Sequence, residues 1–204
     1  MRETLVVFDL GGVLIDWEPR RLYRRIFAEE AAMERFLAEI CTPAWNAELD
    51  RGRPFAEAVA ELVARHPEYE GAIRAWRERW IEMIGGPISG TVAILERLAE
   101  RGVPLVALSN WSAETFPLVR EQEAFRFLDR FERILLSGAL GSIKPEPAIF
   151  EHLLAATGRR AETCLFIDDS AANIATAERL GFGTHHFRGP ERLARDLAAR
   201  GMLG

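Results

Sequence analysis

Residues 6–16 read VVFDLGGVLID, an apolar run that ends in an acid and is soon followed by two glycines. Leu5 to Phe8 is a short apolar stretch with two valines, which is typical of a buried β-strand. Asp9 then lies at the carboxyl end of this strand, where open α/β sheets bind their ligands. Gly11 and Gly12 permit a tight turn and let a ligand approach the backbone closely. Taken alone, the stretch also fits a strand that ends in a helix-capping or turn Asp.

Three later stretches carry polar side chains at the end of an apolar run or just before a helix. They are Val106-Ala107-Leu108-Ser109-Asn110, Gly141-Ser142-Ile143-Lys144-Pro145-Glu146-Pro147 and Cys164-Leu165-Phe166-Ile167-Asp168-Asp169-Ser170. The order along the chain is therefore Asp, Ser-Asn, Lys and Asp-Asp. An ordered set of this kind is much more specific than any one of its members.

Apolar periodicity predicts the architecture of the remaining chain. After residue 88 strands alternate with helices, so the fold class is α/β, a doubly wound parallel sheet of about five strands covered on both faces. Between residues 17 and 88 only helical spacing is visible, with no strand and with a polar loop over 44–53. We therefore expect a core formed by 1–16 and 89–204, with a helical insertion over 17–88.

Composition narrows the classes of function. The chain has 204 residues, of which 49% are hydrophobic and 28% charged, as in a soluble globular protein. A net charge of −5 argues against nucleic acid as a partner. No apolar stretch is long enough to span a membrane, and Arg2 and Glu3 precede only a short apolar run. We expect no N-terminal signal, no membrane partner and a cytoplasmic location; no pattern indicates an oligomeric state.

The four stretches resemble the four motifs of the haloacid dehalogenase superfamily, and the resemblance covers residues 4–15 and 89–187. It implies a Rossmann-like core. Because segment 17–88 follows the first motif, it also implies the subfamily in which a small helical cap is inserted there. The implied activity is Mg²⁺-dependent hydrolysis of small phosphate monoesters, such as sugar phosphates, through an aspartyl-phosphate intermediate.

The resemblance also implies roles for individual residues. Asp9 is the expected nucleophile, and the compact charge of Lys144 is expected to neutralise the nucleophile and the phosphoryl oxygens. The implied substrate contacts are Ser109, Asn110 and Gly11. The implied metal ligands are the carboxylates of Asp9 and Asp168 and the backbone carbonyl of Gly11. Asp169 is implied to bind the metal through a water molecule or to support the direct ligands.

Charge repulsion independently favours a cation at this site. Two further acids near Asp9 would repel one another and a phosphate dianion. The repulsion energy of each pair of like charges is about 4 kcal/mol at a separation of ~4 Å and an effective dielectric of ~20. Mg²⁺ prefers carboxylate oxygens, waters and phosphate oxygens as ligands. Asp168 and Asp169 could alternatively be acids that cap the following helix.

The first motif departs from the Asp-x-Asp pattern usual in phosphatases of this superfamily, because Gly11 stands where the second Asp protonates the leaving group. Three interpretations stay open: a phosphatase that uses another acid or water, a 2-haloacid dehalogenase-type hydrolase, and a catalytically weak phosphate-binding or regulatory protein. Dehalogenases of the superfamily usually carry Tyr at this position and lack the acids of the fourth motif. Both differences weaken the dehalogenase interpretation. Asp16 is expected to be a hinge or turn residue rather than the missing acid.

Several residues are further candidates for the site. Asn173 follows Asp168 by five residues, where the superfamily often carries Asp or Asn to support the lysine, although a solvated helix residue fits equally. Trp76 and Trp80 fit a packed helix face. The candidate cap or rim contacts are Trp17, Trp45, Asn46, Glu48, Arg51, Arg53 and Trp111.

Overall fold

The computed structural model describes residues 4–203, so Arg2 and Glu3, on which the expectation of no N-terminal signal rests, lie outside it. The strands within that range are Leu5–Phe8 (β1), Ile15–Trp17 (β2), Ile84–Pro87 (β3), Leu105–Ser109 (β4), Arg133–Leu136 (β5), Cys164–Asp168 (β6) and Gly183–His186 (β7). The α-helices there are Arg20–Tyr23 (α1), Glu30–Glu39 (α2), Pro43–Asp50 (α3), Phe55–Arg65 (α4), Glu70–Glu78 (α5), Ser89–Glu100 (α6), Phe116–Arg120 (α7), Ser137–Leu140 (α8), Pro147–Thr157 (α9), Ala171–Arg179 (α10) and Pro190–Ala199 (α11). Short 3₁₀ helices cover Pro67–Tyr69, Trp80–Met83, Glu123–Arg130 and Ala161–Thr163.

Five strands form one parallel sheet in the order β5-β4-β1-β6-β7, which confirms the predicted doubly wound α/β fold. Strand β1 lies at the centre, with Phe8 opposite Ala107 of β4 and Ile167 of β6. Because the three strands are parallel and in register, their carboxyl ends meet at one edge. The residues that follow them therefore lie side by side.

Alternate residues of β1 lie in two separate apolar clusters, one on each face of the sheet. Val6 and Phe8 belong to the cluster that contains residues of α6 and α11. Leu5 and Val7 belong to the cluster that contains residues of α9 and α10. Side chains alternate between the two faces of a strand, so a continuous apolar run indicates that both faces are covered.

Segment 17–88 contains helices α1 to α5, and its boundaries with the core stay a prediction. The expectation of a loop over 44–53 is wrong, because α3 occupies 43–50. Thr42 begins this helix: its side-chain oxygen accepts a hydrogen bond of 3.1 Å from the N–H of Trp45, and Pro43 follows at the first helical position. These capping residues outweigh the polar composition that suggested a loop.

The expectation that no strand lies between residues 17 and 88 is also wrong. Strand β3 pairs antiparallel with β2, with Ile15 opposite Pro87 and Asp16 opposite Gly86. The two strands form a ribbon where the chain leaves the core and returns to it. Four residues that include two glycines carry no alternating pattern, so sequence periodicity does not reveal this strand.

No helix within the described range is long and apolar enough to cross a membrane.

The cap of helix α3 can be tested by substitution. We expect Thr42→Ala to lower the free energy of unfolding by about 1 kcal/mol, because it removes the oxygen that satisfies the helix N-terminus. Thr42→Ser keeps that oxygen and should retain most of the stability. Chemical denaturation of the three proteins measures the difference, and equal losses in both variants would contradict the capping role.

Candidate active site

The side chain of Lys144 lies between two buried carboxylates at the carboxyl edge of the sheet. Its Nζ is 2.8 Å from Asp9 Oδ1 and 2.7 Å from Asp168 Oδ2. It also donates to the main-chain carbonyl of Leu108, at 2.9 Å. An ammonium group has three donors, and each has an acceptor here. Burial alone lowers the pKa of Lys144, but Asp9 and Asp168 outweigh burial and raise this pKa above its ordinary value.

The backbone just after β1 fixes the carboxylate of Asp9. The main-chain N–H of Asp9 donates to the carbonyl of Ile167 at 2.9 Å, which extends the pairing of β1 with β6. Its Oδ1 accepts hydrogen bonds from the N–H of Leu10, at 2.7 Å, and from Lys144. Within the described residues Oδ2 accepts no hydrogen bond, so its lone pairs are available for attack on a substrate.

Asp168 is held more tightly than Asp9. Its Oδ1 accepts from the N–H of Ser170 at 2.8 Å and from Nδ2 of Asn173 at 2.9 Å, while Oδ2 accepts from Lys144. Asn173 lies in the first turn of α10, and its side chain is buried. The side chain of Asn173 therefore orients Asp168 and acts on the lysine through this carboxylate.

The segment that carries Lys144 is fastened to the end of β4 by Asn110. The N–H of Lys144 donates to Asn110 Oδ1 at 2.8 Å, and Asn110 Nδ2 donates to the carbonyl of Lys144 at 2.9 Å. This reciprocal pair occupies the side-chain amide of Asn110. A contact from Asn110 to a phosphate, which stays a prediction, would come from its main chain. Ser109, at the last position of β4, is buried and 1% exposed.

Asp9, Asp168 and Asp169 fit a divalent cation. Each offers a carboxylate oxygen within 4.8 Å of the others. Burial raises the pKa of Asp9 to about 7 against the opposing charge of Lys144, and Asp168 and Asp169 add to the rise. Burial and Asp168 likewise raise the pKa of Asp169. Ionised carboxylates are therefore unfavourable here without a counter-charge, and oxygen ligands are those that Mg²⁺ prefers.

Gly12 allows Asp169 to approach the loop after β1. A Cβ at Gly12 would lie 2.4 Å from Asp169 Oδ2, and the φ angle of +72° is one that side chains disfavour. The direction of the Gly11 carbonyl toward a metal stays a prediction.

A cavity of about 70 Å³ adjoins the first and second motifs. Its lining residues are Gly11, Trp17, Asn46, Asp50, Trp80, Asn110 and Trp111. Three of the candidate rim residues are among them. Trp80 lines the cavity and is also packed, since it is 5% exposed and its ring lies 5.5 Å from that of Trp111.

The other candidate rim residues lie elsewhere. Trp45 packs edge-on against Trp76, and Arg53 pairs with Glu48 and Glu61. Arg51 pairs with Glu146, and Asp16 pairs with Arg21 beside the β2–β3 ribbon. Sequence reasoning did not identify Asp50 or Trp80 as lining residues of the cavity. Asp50 lies in a segment interpreted as a loop, which offers no helical face on which to place it, and Trp80 was assigned to a packed helix face.

Comparison with known proteins agrees with this geometry. A sequence profile of haloacid dehalogenase-like hydrolases matches residues 4–181. The chain is 24% identical to the sesquiterpene phosphatase of Aspergillus oryzae over 97% of this chain and 95% of that protein. It is 26% identical to the phosphoglycolate phosphatase of Pseudomonas savastanoi pv. phaseolicola, over 87% of this chain and 66% of that protein.

A solved structure has the same fold over almost the whole chain. The structure of a predicted HAD-like family hydrolase from Porphyromonas gingivalis matches with a TM-score of 0.75 and 26% identity, covering 98% of each chain. The chain therefore belongs to the haloacid dehalogenase-like hydrolases, as its four motifs predict.

Mg²⁺ binding should depend on pH through Asp9. Without metal, burial raises the pKa of Asp9 to about 7, so the folded protein keeps a proton there up to about pH 7, whereas the pKa of an unperturbed Asp is 3.8. Stability from this group is therefore lost as the pH rises between these values, and a bound cation must displace the same proton. We expect a fixed Mg²⁺ concentration to raise Tm more at pH 8 than at pH 6, measured by differential scanning fluorimetry.

Two variants serve as controls for this measurement. Asp9→Asn removes the titrating carboxylate and should show a smaller rise that differs little between the two pH values. Asp16→Asn removes a half-exposed carboxylate outside the cluster and should behave as the wild type. A larger Mg²⁺ effect at pH 6 than at pH 8 would contradict the assignment.

Proposed function

We propose that this protein is a Mg²⁺-dependent phosphatase that hydrolyses small phosphate monoesters through Asp9. The observation that carries the proposal is the buried arrangement of Lys144 between Asp9 and Asp168, with Asp169 within reach of the same cation. Two relatives that are similar over most of the chain are a sesquiterpene phosphatase and a phosphoglycolate phosphatase. Their names support the same type of reaction.

We infer distinct tasks for the residues of the site. Asp9 Oδ2, which is free of hydrogen bonds within the described range, attacks phosphorus and forms an aspartyl phosphate, which water then hydrolyses. Lys144 favours the ionised form of Asp9 against the effect of burial and adds positive charge beside the phosphoryl oxygens. Asp9, Asp168 and Asp169 would hold Mg²⁺, which would supply the remaining charge neutralisation. We expect Ser109 and the main chain of Asn110 to orient the phosphate, and the carbonyl of Gly11 to complete the metal site.

The dehalogenase alternative fits this site less well. Asp168 and Asp169 place negative charge beside the nucleophile, which a metal-free attack on a neutral carbon does not need. A 2-halo acid also carries a carboxylate, and none of the described residues that line the cavity is Lys, Arg or His. A phosphate-binding protein without turnover is a weaker interpretation, because Asp9 Oδ2 accepts no hydrogen bond within the described range and is free to react with phosphorus.

Removal of the nucleophile is the direct test of the proposed reaction. We expect Asp9→Asn to lower the rate of phosphate release from p-nitrophenyl phosphate by about 10⁴-fold or more, because the neutral amide cannot act as the attacking carboxylate. EDTA should abolish wild-type activity, and Mg²⁺ should restore it. Asp16→Asn is the matched control and should retain activity. Activity that survives EDTA, or halide release from a 2-chloro acid without metal, would refute the proposal.

The lining of the cavity also indicates the class of substrate. Three tryptophans, two asparagines, an Asp and a Gly surround the space, and a second anionic group buried there would have no cationic partner. We expect phosphate esters of neutral alcohols to be hydrolysed with a kcat/KM at least about tenfold above that of phosphoglycolate. Steady-state kinetics on a panel of esters measures this ratio, and a preference for phosphoglycolate would contradict it.

A further inference from the structure

The place of the missing acid opens onto empty space. Phosphatases of the superfamily usually have an acid at the position of Gly11, and a Cβ built on Gly11 meets no atom within 4 Å. Gly11 also lines the cavity that helix α3 closes from the other side. A group that reaches this cavity from the cap can therefore approach a leaving group bound above Gly11.

Asp50 supplies the one carboxylate among the described residues that line this cavity. It is the last residue of α3, and its Oδ2 accepts a hydrogen bond of 2.8 Å from Nδ2 of Asn46, one turn earlier. Asn46 lines the same cavity. The amide therefore orients the carboxyl group of Asp50 within the space that a substrate would enter.

Contacts of the main chain hold this end of α3 against the core. Ser137 Oγ donates a short hydrogen bond to the carbonyl of Asp50, and the same Oγ accepts from the N–H of Trp111 at 2.9 Å. A Cβ at Gly52 would lie 2.7 Å from the carbonyl oxygen of Gly138, so the two backbones pass very closely. The position of Asp50 is thus set by docking that does not depend on its own carboxyl group.

The surroundings of Asp50 suit proton exchange near neutral pH. Burial raises the pKa of Asp50 to about 7, against the N–H of Ser112, the amide of Asn46 and the charge of Lys144, which lower it. A general acid–base is most effective when its pKa lies near the working pH.

We propose that Asp50 is the general acid–base of this enzyme and replaces, from the cap, the acid absent at Gly11. The inference rests on the phosphatase function proposed above. As Asp9 Oδ2 bonds to phosphorus, the bond to the leaving oxygen breaks with its electron pair on that oxygen, which takes the proton of Asp50. The Asp50 carboxylate then accepts a proton from water, whose oxygen bonds to phosphorus as the aspartyl phosphate opens, and phosphate and the alcohol are released.

A series of leaving groups separates this role from a structural one. Phosphate esters of p-nitrophenol, phenol and a simple alkyl alcohol have leaving oxygens of increasing basicity, so their need for a proton increases in that order. We expect Asp50→Asn to lower kcat/KM by about 10²-fold or more for the alkyl ester and by less than about tenfold for p-nitrophenyl phosphate. Glu48→Gln, which removes an exposed carboxylate from the same helix, should leave the whole series unchanged.

The outcomes distinguish this proposal from the proposed function. Asp50→Glu should recover at least about tenfold of the alkyl-ester activity lost in Asp50→Asn. If circular dichroism shows that Asp50→Asn is unfolded, Asp50→Ser provides the same comparison. An equal loss on all three esters would overturn the role of Asp50 while leaving the phosphatase function intact. Wild-type protein that hydrolyses none of them would refute the phosphatase function, and with it this role.

Discussion

The ammonium group of Lys144 holds two buried carboxylates from different strands at one point of the sheet, and the rest of the site depends on it. It links Asp9 after β1 with Asp168 at the end of β6, at 2.8 and 2.7 Å. Removing one partner of such a buried arrangement typically costs about 3–5 kcal/mol, because the remaining charges lose compensation in a dry environment. One lysine cannot balance Asp9, Asp168 and Asp169 together, so the site retains an affinity for a further cation. The fold, which brings three carboxylates and one lysine together at the edge of the sheet, therefore favours the binding of a metal ion.

In the proposed mechanism, segment 17–88 supplies a group that the core alone lacks. The core would provide the nucleophile, the lysine and the cation site, while Gly11 stands where an acid usually protonates the leaving oxygen. Segment 17–88 is joined to the core by the β2–β3 ribbon. The end of α3 makes a second contact, on Ser137 and Gly138. The tryptophans and Asp50 of the cavity are assembled only when cap and core meet. In the proposed mechanism, docking of segment 17–88 on the core would therefore assemble the catalytic residues.

Sequence reasoning located the parts of the site that lie at strand ends. Asp9 and Asp168 follow continuous apolar runs, and parallel pairing of such runs brings their carboxyl ends together without further information. Lys144 was identified only as a member of an ordered set, since its burial depends on the loop that Asn110 fastens. The sequence did not indicate that Asp50 lines the cavity, because the polar composition around it suggested a loop. The segment is a helix that begins at Pro43 after the capping residue Thr42. The β3 strand was missed because its register depends on pairing with β2 across the whole cap. Contacts between distant segments leave little trace in local periodicity.

Trapping of the covalent intermediate tests the central claim most directly. The protein is mixed with Mg²⁺ and a phosphate ester, quenched in acid during turnover, digested and analysed by mass spectrometry. The account predicts one phosphoryl group on the peptide that contains Asp9, present with Mg²⁺ and absent after EDTA treatment or in Asp9→Asn. A phosphoryl group on another residue, or active turnover that never labels Asp9, would contradict it.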